Sequence, residues 1–219
     1  MLMHITAGEM LKFSYKITGE LCRITLKLMK LTEINPNFTD AYHDRGLAKV
    51  ELEDYKGAIQ DFNKAIELDP KLANAYDNRG AAKAYLQDYK GAIADLNKAI
   101  ELDPKFASAY YNRGVAKSHL QDYKGAIQDF NKAIELEYIK LNLAYNNRGA
   151  AKRNLKDYRG AIEDYTKAIG INPNYANAYY NRGAAKISLG QKDNGCLDFS
   201  KARELGFAGA YGRIRKLCN

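Results

Sequence analysis

Residues 41–70 read AYHDRGLAKVELEDYKGAIQDFNKAIELDP, and residues 75–104 read AYDNRGAAKAYLQDYKGAIADLNKAIELDP. The second stretch begins 34 residues after the first, and the pattern continues outward from both. An Arg-Gly pair recurs at Arg45, Arg79, Arg113, Arg148 and Arg182, at spacings of 34, 34, 35 and 34. Self-similarity at such a period marks one supersecondary unit stacked on copies of itself. Numbering each copy from two residues before its Ala-Tyr pair gives repeats over 39–72, 73–106, 107–140, 142–175 and 176–209.

Within a repeat, positions 4, 8, 11 and 14 keep to one face of a helix, and positions 17, 20, 24 and 27 to one face of a second. Glycine at position 8 and alanine at positions 20 and 27 allow the two helices a close approach. Asp54, Asp88, Asp122 and Asp157 stand at position 16, where a carboxylate caps the free N–H groups of the second helix. Pro70, Pro104 and Pro173 stand at position 32 and end that helix. Each helix pair buries its apolar face only against a neighbour, which makes the array a solenoid.

These residues resemble the tetratricopeptide repeat (TPR) family. The carriers are the aromatic Tyr42, Tyr76, Tyr110, Tyr145 and Tyr179 at position 4, Gly46, Gly80, Gly114, Gly149 and Gly183 at position 8, and the alanines and prolines above. The resemblance covers residues 39–209. It implies an all-α fold, a right-handed TPR superhelix (α-solenoid) of antiparallel helix pairs. Residues 5–38 fit the frame loosely and are expected to add a degenerate N-terminal helix pair, so that 1–38 read as a degenerate repeat or cap. Residues 210–219 are expected to close the array as a short capping helix.

Composition narrows the function. Net charge is +8, rising from −3 over 39–72 to +5 over 176–219. Such asymmetry steers acidic partners, but without a basic cluster it does not read as a nucleic-acid surface. No apolar run reaches membrane-span length. Three widely separated cysteines, Cys22, Cys196 and Cys218, argue against a disulfide framework and for a reducing, cytoplasmic compartment. No metal or cofactor motif and no catalytic constellation is found. His4, His43 and His119 have no evident partner, so the chain reads as a non-enzymatic protein that uses no cofactor.

Variation inside a fixed frame points to the binding surface. Positions 5, 12 and 13 differ between repeats and share a helix-A face with positions 2, 6 and 9. The resemblance makes that face the lining of a concave groove. Position 6 on it is Asp44 in the first repeat and then Asn78, Asn112, Asn147 and Asn181. An amide offers a donor and an acceptor together, so these asparagines suit a ladder along an extended peptide. The bland alternative is that they bond the next helix. Tyr111, Tyr180, His119, Arg153 and Asn154 would set specificity, with Arg153 favouring acidic ligand residues. A carboxylate clamp of the co-chaperone kind fits poorly, because its expected positions hold His43, Leu47, Asn78, Ser108 and Asn112. A second class of function is self-assembly into a homo-oligomer.

Two positions depart from the family. Position 7 is Arg in every repeat and position 11 is Lys, and Asp61, Asp95, Asp129, Asp164 and Asp198 at position 23 accompany them. A partly buried arginine needs a partner, so each is expected to pair with one of these aspartates. At the third junction Tyr138 replaces proline and one residue is added, so helix B of repeat three is expected to run longer. In repeat five QKDNGC replaces DYKGAI, and that hairpin is expected to be the loosest.

Overall fold

The computed structural model describes residues 7–218, with side chains described from Gly19 onward except Leu21 and Thr32. His4 lies outside the described residues. Twelve α-helices and, among the described residues, no strand make an all-α TPR solenoid. Contacts divide the chain into two compact units, Met1–Pro104 and Lys105–Asn219. The first holds α1 (Ala7–Ile34), α2 (Thr39–Glu51), α3 (Tyr55–Leu68), α4 (Ala73–Tyr85) and α5 (Tyr89–Leu102). The second holds α6 (Ala107–His119), α7 (Tyr123–Glu135), α8 (Leu141–Asn154), α9 (Tyr158–Ile171), α10 (Ala176–Ser188), α11 (Lys192–Glu204) and α12 (Gly209–Leu217).

Every repeat turns between its helices in one way. Position 15 takes a left-handed backbone: Glu53 (φ 59°), Gln87 (φ 64°), Gln121 (φ 63°), Lys156 (φ 65°) and Gly190 (φ 77°). The next N–H then reaches back to close helix A, as Asp54 does to the Lys49 carbonyl at 2.9 Å. Asp54, Asp88, Asp122 and Asp157 each accept from the N–H three residues on, at 2.9 Å, which is the predicted cap.

Each core cluster sets small alanines around one large ring. Ala58, Phe62 and Ala82 form one such cluster in the first unit. Ala126, Phe130 and Ala151, and then Ala161, Tyr165 and Ala185, do so in the second. The position-8 glycine is required by contact: a Cβ on Gly149 would lie 2.9 Å from a Tyr165 ring carbon and 3.2 Å from the Ala161 carbonyl.

The predicted ion pairs form inside each repeat. Arg45 meets Asp61, Arg79 meets Asp95, Arg113 meets Asp129, Arg148 meets Asp164 and Arg182 meets Asp198, each through Nε and Nη2. The position-11 lysine adds a third member, its Nζ lying 2.8 Å from the same carboxylate in every repeat. The position-4 tyrosine lies under the guanidinium, as Tyr145 does under Arg148 at 5.2 Å. In two repeats of the second unit the arginine also reaches back one repeat, Arg148 to Asn131 at 2.7 Å and Arg182 to Thr166 at 3.1 Å.

Four expectations are corrected. Residues 7–34 form one 28-residue helix, not a helix pair. Gly19, at position 15 of that frame, keeps a helical backbone and does not take the left-handed φ that Gly190 takes in repeat five. Helix B of repeat three is shorter, not longer: α7 has 13 residues where α3, α5 and α9 have 14. Glu137 takes a left-handed φ of 54°, and the Tyr138 N–H bonds the Ala133 carbonyl at 2.9 Å, so a turn ends this helix without proline. The fifth hairpin lacks the aspartate cap bond, yet its helices come closer at this contact than those of the second and fourth. A Cβ on Gly183 would lie 2.8 Å from the Gly195 carbonyl, against 3.2 Å at the corresponding contacts of Gly80 and Gly149.

The fourth correction concerns the cysteines. Cys196 and Cys218 form a disulfide, and Cys22 is exposed. Their separation of 22 residues hides a short path. Gly206 (φ 87°) turns the chain between α11 and α12, and the two cysteines stand at similar distances on either side of that turn.

Candidate functional site

The helix-A face presents the variable positions, and in the second unit a cleft of about 300 Å³ opens on it. His119, Asn147 and Asn154 line this cleft together with Val115, Ser118, Tyr123 and the ring of Phe130. Three of the predicted residues therefore meet, over an apolar floor. Tyr123 was not among the predicted residues. It stands at position 17, in helix B, where all the candidates were sought on helix A.

The position-6 asparagines are tied to the repeat before them. Asn147 donates from Nδ2 to the Tyr111 hydroxyl at 2.9 Å. Asn181 donates from Nδ2 to the side-chain amide oxygen Oδ1 of Asn146 at 3.1 Å and accepts from Arg153 Nη1 at 3.3 Å. In the first unit Asn78 Nδ2 lies 3.0 Å from His43 Nε2, and His43 Nδ1 faces Asp44 at 3.3 Å. The tautomer that donates to Asp44 accepts from Asn78. Asn112 is half-buried like the other three. The bland reading of the asparagines, a bond to the neighbouring helix, is thus realised for Asn78, Asn147 and Asn181. These inner-face residues therefore contribute bonds between repeats.

The aromatic members are also engaged. Tyr111 stacks on Tyr138, with ring centroids 4.6 Å apart and planes at 17°. Tyr180 meets Phe207 at 4.6 Å and Phe199 at 5.4 Å. Tyr138 and Phe207 both stand at position 32, where the other repeats have proline, and only these repeats have tyrosine at position 5. Asn154 is exposed, and its side chain donates to the Ala150 carbonyl at 2.9 Å. Asp44 and His119 are exposed.

One buried group stands out. Tyr165 occupies the position held by Phe62, Phe130 and Phe199 in other repeats, and its hydroxyl is buried without a hydrogen-bond partner. Burial pushes its pKa up to about 12, against an opposing pull from Arg153.

Among the described residues no group of three or more His, Cys, Asp or Glu side chains is placed to hold a metal ion. No described helix is long and apolar enough to cross a membrane.

Comparison with known proteins bears on the family and the fold. A TPR repeat model matches residues 46–87 and 83–118, and a tetratricopeptide repeat model matches residues 107–137 and 143–175. No curated protein matches the chain. Among solved structures, a MamA protein is 30% identical, with the match covering 76% of this chain and 91% of that one at a TM-score of 0.67. YrrB, described as a TPR protein with an unusual peptide-binding site, is 21% identical, covering 87% and 98% at a TM-score of 0.69. A tetratricopeptide repeat protein from Parabacteroides merdae is 22% identical, covering 93% and 80% at 0.67. The repeat models span more than half of the residues, and the chain belongs to the tetratricopeptide repeat family.

Proposed function

We propose that this scaffold, an architecture suited to protein–protein interaction, is a non-enzymatic binder of an extended, partly acidic peptide segment along the helix-A face of its repeats. The observation that carries the reading is the cleft of His119, Asn147 and Asn154 over the Phe130 ring. A primary amide has two N–H donors and two acceptor lone pairs. Tyr111 takes one donor of Asn147, and the Asn146 amide, at 3.3 Å, takes one lone pair. One of each is left, which is what a peptide unit requires. The bonds to the preceding repeat orient the amide without using it up, and an oriented side chain loses less entropy on binding. Within the second unit Asn112, Asn147 and Asn181 would act as the ladder, and Asn78 holds the same place in the first. His119, Asn154, Tyr111 and Tyr180 would shape specificity, and Arg153 would favour acidic residues.

The test is capture of a partner by the full chain, followed by titration of that partner against Asn147→Ala and Asn181→Ala. Loss of two peptide hydrogen bonds corresponds to about 1–2 kcal/mol, or roughly five- to thirty-fold. Denaturant melts run alongside, because each variant also loses a bond between repeats. Folded variants that bind like the wild type would end the ladder reading.

Self-assembly is a second reading with an observation of its own: α1 exposes Ile24, Leu26, Met29, Leu31 and Ile34. Light scattering at several concentrations separates it, since a monomer throughout would dismiss it.

A further inference from the structure

A second cleft, of about 330 Å³, lies in the same unit between repeats four and five and the closing helix. Arg153, Tyr158, Ile187, Ser188, Arg213 and Leu217 are among its lining residues, and no carboxylate is. Two arginine side chains therefore line one small space. Arg153 donates to the Asn181 amide oxygen at 3.3 Å, and Arg213 donates from Nε to the Tyr180 hydroxyl at 3.3 Å. Both partners are neutral. The position-7 arginines of the same unit differ, because Arg113, Arg148 and Arg182 each meet an aspartate. A cation bonded only to neutral groups keeps its whole charge for a ligand, and guanidinium matches a carboxylate in shape.

The wall that carries Arg213 and Leu217 is slight. Helix α12 has nine residues, and Ala210 is its only buried one. Its far end is tied to α11 by the Cys196–Cys218 bond, where the Cα atoms stand 5.7 Å apart. Arg213 and Leu217 both lie between the buried Ala210 and that bond.

We infer that this cleft binds a glutamate or aspartate side chain of the peptide ligand, with an adjacent apolar residue on Ile187 and Leu217, and that the Cys196–Cys218 disulfide holds the cleft closed on one side. The inference rests on the groove reading above and adds the ligand's chemistry and its control. A dithiol reductant would open the wall by thiol–disulfide exchange. Its two thiols lose two electrons and two protons to become a disulfide, and Cys196 and Cys218 gain them as two thiols.

The experiment uses the full oxidised chain and three fluorescent peptides that carry leucines around one variable residue. The first has glutamate and is capped at both ends. The second is its glutamine twin. The third has glutamine and a free C-terminal carboxylate. The glutamate peptide is expected to bind about five-fold tighter than its twin, the gap between a charge-assisted and a neutral hydrogen bond. Arg153→Gln and Arg213→Gln should each erase that difference in chains that still unfold cooperatively. Treating the wild type with dithiothreitol should erase it too and raise hydrogen exchange across 209–217, and Cys218→Ser should match the reduced chain. Equal binding of the two capped peptides, or no binding of either, overturns the inference. Tighter binding of the free-terminus peptide than of the glutamate peptide overturns the side-chain assignment. Unchanged binding and exchange on reduction overturns the role of the disulfide. Weakening by Asn147→Ala but not by either arginine variant leaves the groove reading standing and ends this one.

Discussion

The Tyr111 hydroxyl accepts a hydrogen bond from Asn147 at 2.9 Å while the face of the same ring lies on Tyr138 at 4.6 Å. One side chain thus joins helix A of its own repeat, the turn that ends that repeat, and helix A of the next. Tyr111→Phe keeps the stack and loses the bond, at a cost of about 1 kcal/mol in urea unfolding. Asn147→Ala removes the other partner. The double variant should lose less than the sum of the single losses, because both delete the same bond. Strictly additive losses would show that the two residues act apart.

Asp164 is 1% exposed and holds both Arg148 and Lys152. Removing one partner of a buried ion pair leaves uncompensated charge and costs about 3–5 kcal/mol. Asp164→Ala should therefore destabilise the chain by about 3 kcal/mol or more, and Asp129→Ala by a similar amount, read as a lower urea midpoint. A loss under about 1 kcal/mol would place the carboxylate among ordinary surface pairs.

Glu137 holds φ at 54° in the place where Gly206 holds 87°. A left-handed conformation costs a side-chain-bearing residue about 1–2 kcal/mol, and the extra freedom of glycine in the unfolded chain takes back about 0.5–1 kcal/mol. Glu137→Gly should stabilise the chain by about 0.5–1 kcal/mol. Calorimetry would detect it as a higher melting temperature, and a lower one would refute the strain argument.

Tyr165→Phe should stabilise the chain by about 1 kcal/mol at neutral pH, because it removes a buried hydroxyl with no partner. It should also change the alkaline limb. The folded group ionises near 12 and the unfolded one near 10, so the unfolded chain loses its proton first. Stability attached to Tyr165 is whole below about pH 10 and declines as pH rises toward 12. The phenylalanine variant should lose less stability over that window, measured by urea unfolding at stepped pH. Parallel curves for both proteins would count against it.

Features that recur were readable because each copy tests the others. The Asp54-type cap, the Arg45–Asp61 pair and the Gly46 contact all follow from residues that stand at one position in repeat after repeat. The unreadable features belong to single places. Helix α1 continues through Gly19, the position at which every later repeat turns, a difference that a loose alignment to the other repeats conceals. The Cys196–Cys218 bond looks remote in sequence and becomes local only once Gly206 turns the chain. The inner-face bonds join a repeated residue to a varying one, so their acceptors, His43, Tyr111 and Asn146, share no sequence signal. The candidate cleft was legible in His119, Asn147 and Asn154, and its wall from helix B was not.

Those three acceptors are an imidazole nitrogen, a phenol oxygen and an amide oxygen, and one kind of donor satisfies all of them. Position 6 works as a plug that fits any socket with a lone pair. Position 5 is thereby free to change its chemistry without loosening the seam it belongs to. The same indifference makes the repeats interchangeable in order: were the fourth removed, Asn181 would meet Tyr111 in place of Asn146 and still find an acceptor. An array joined in this way can gain, lose or reorder members, and its lining can diversify, while the joints between neighbours stay closed.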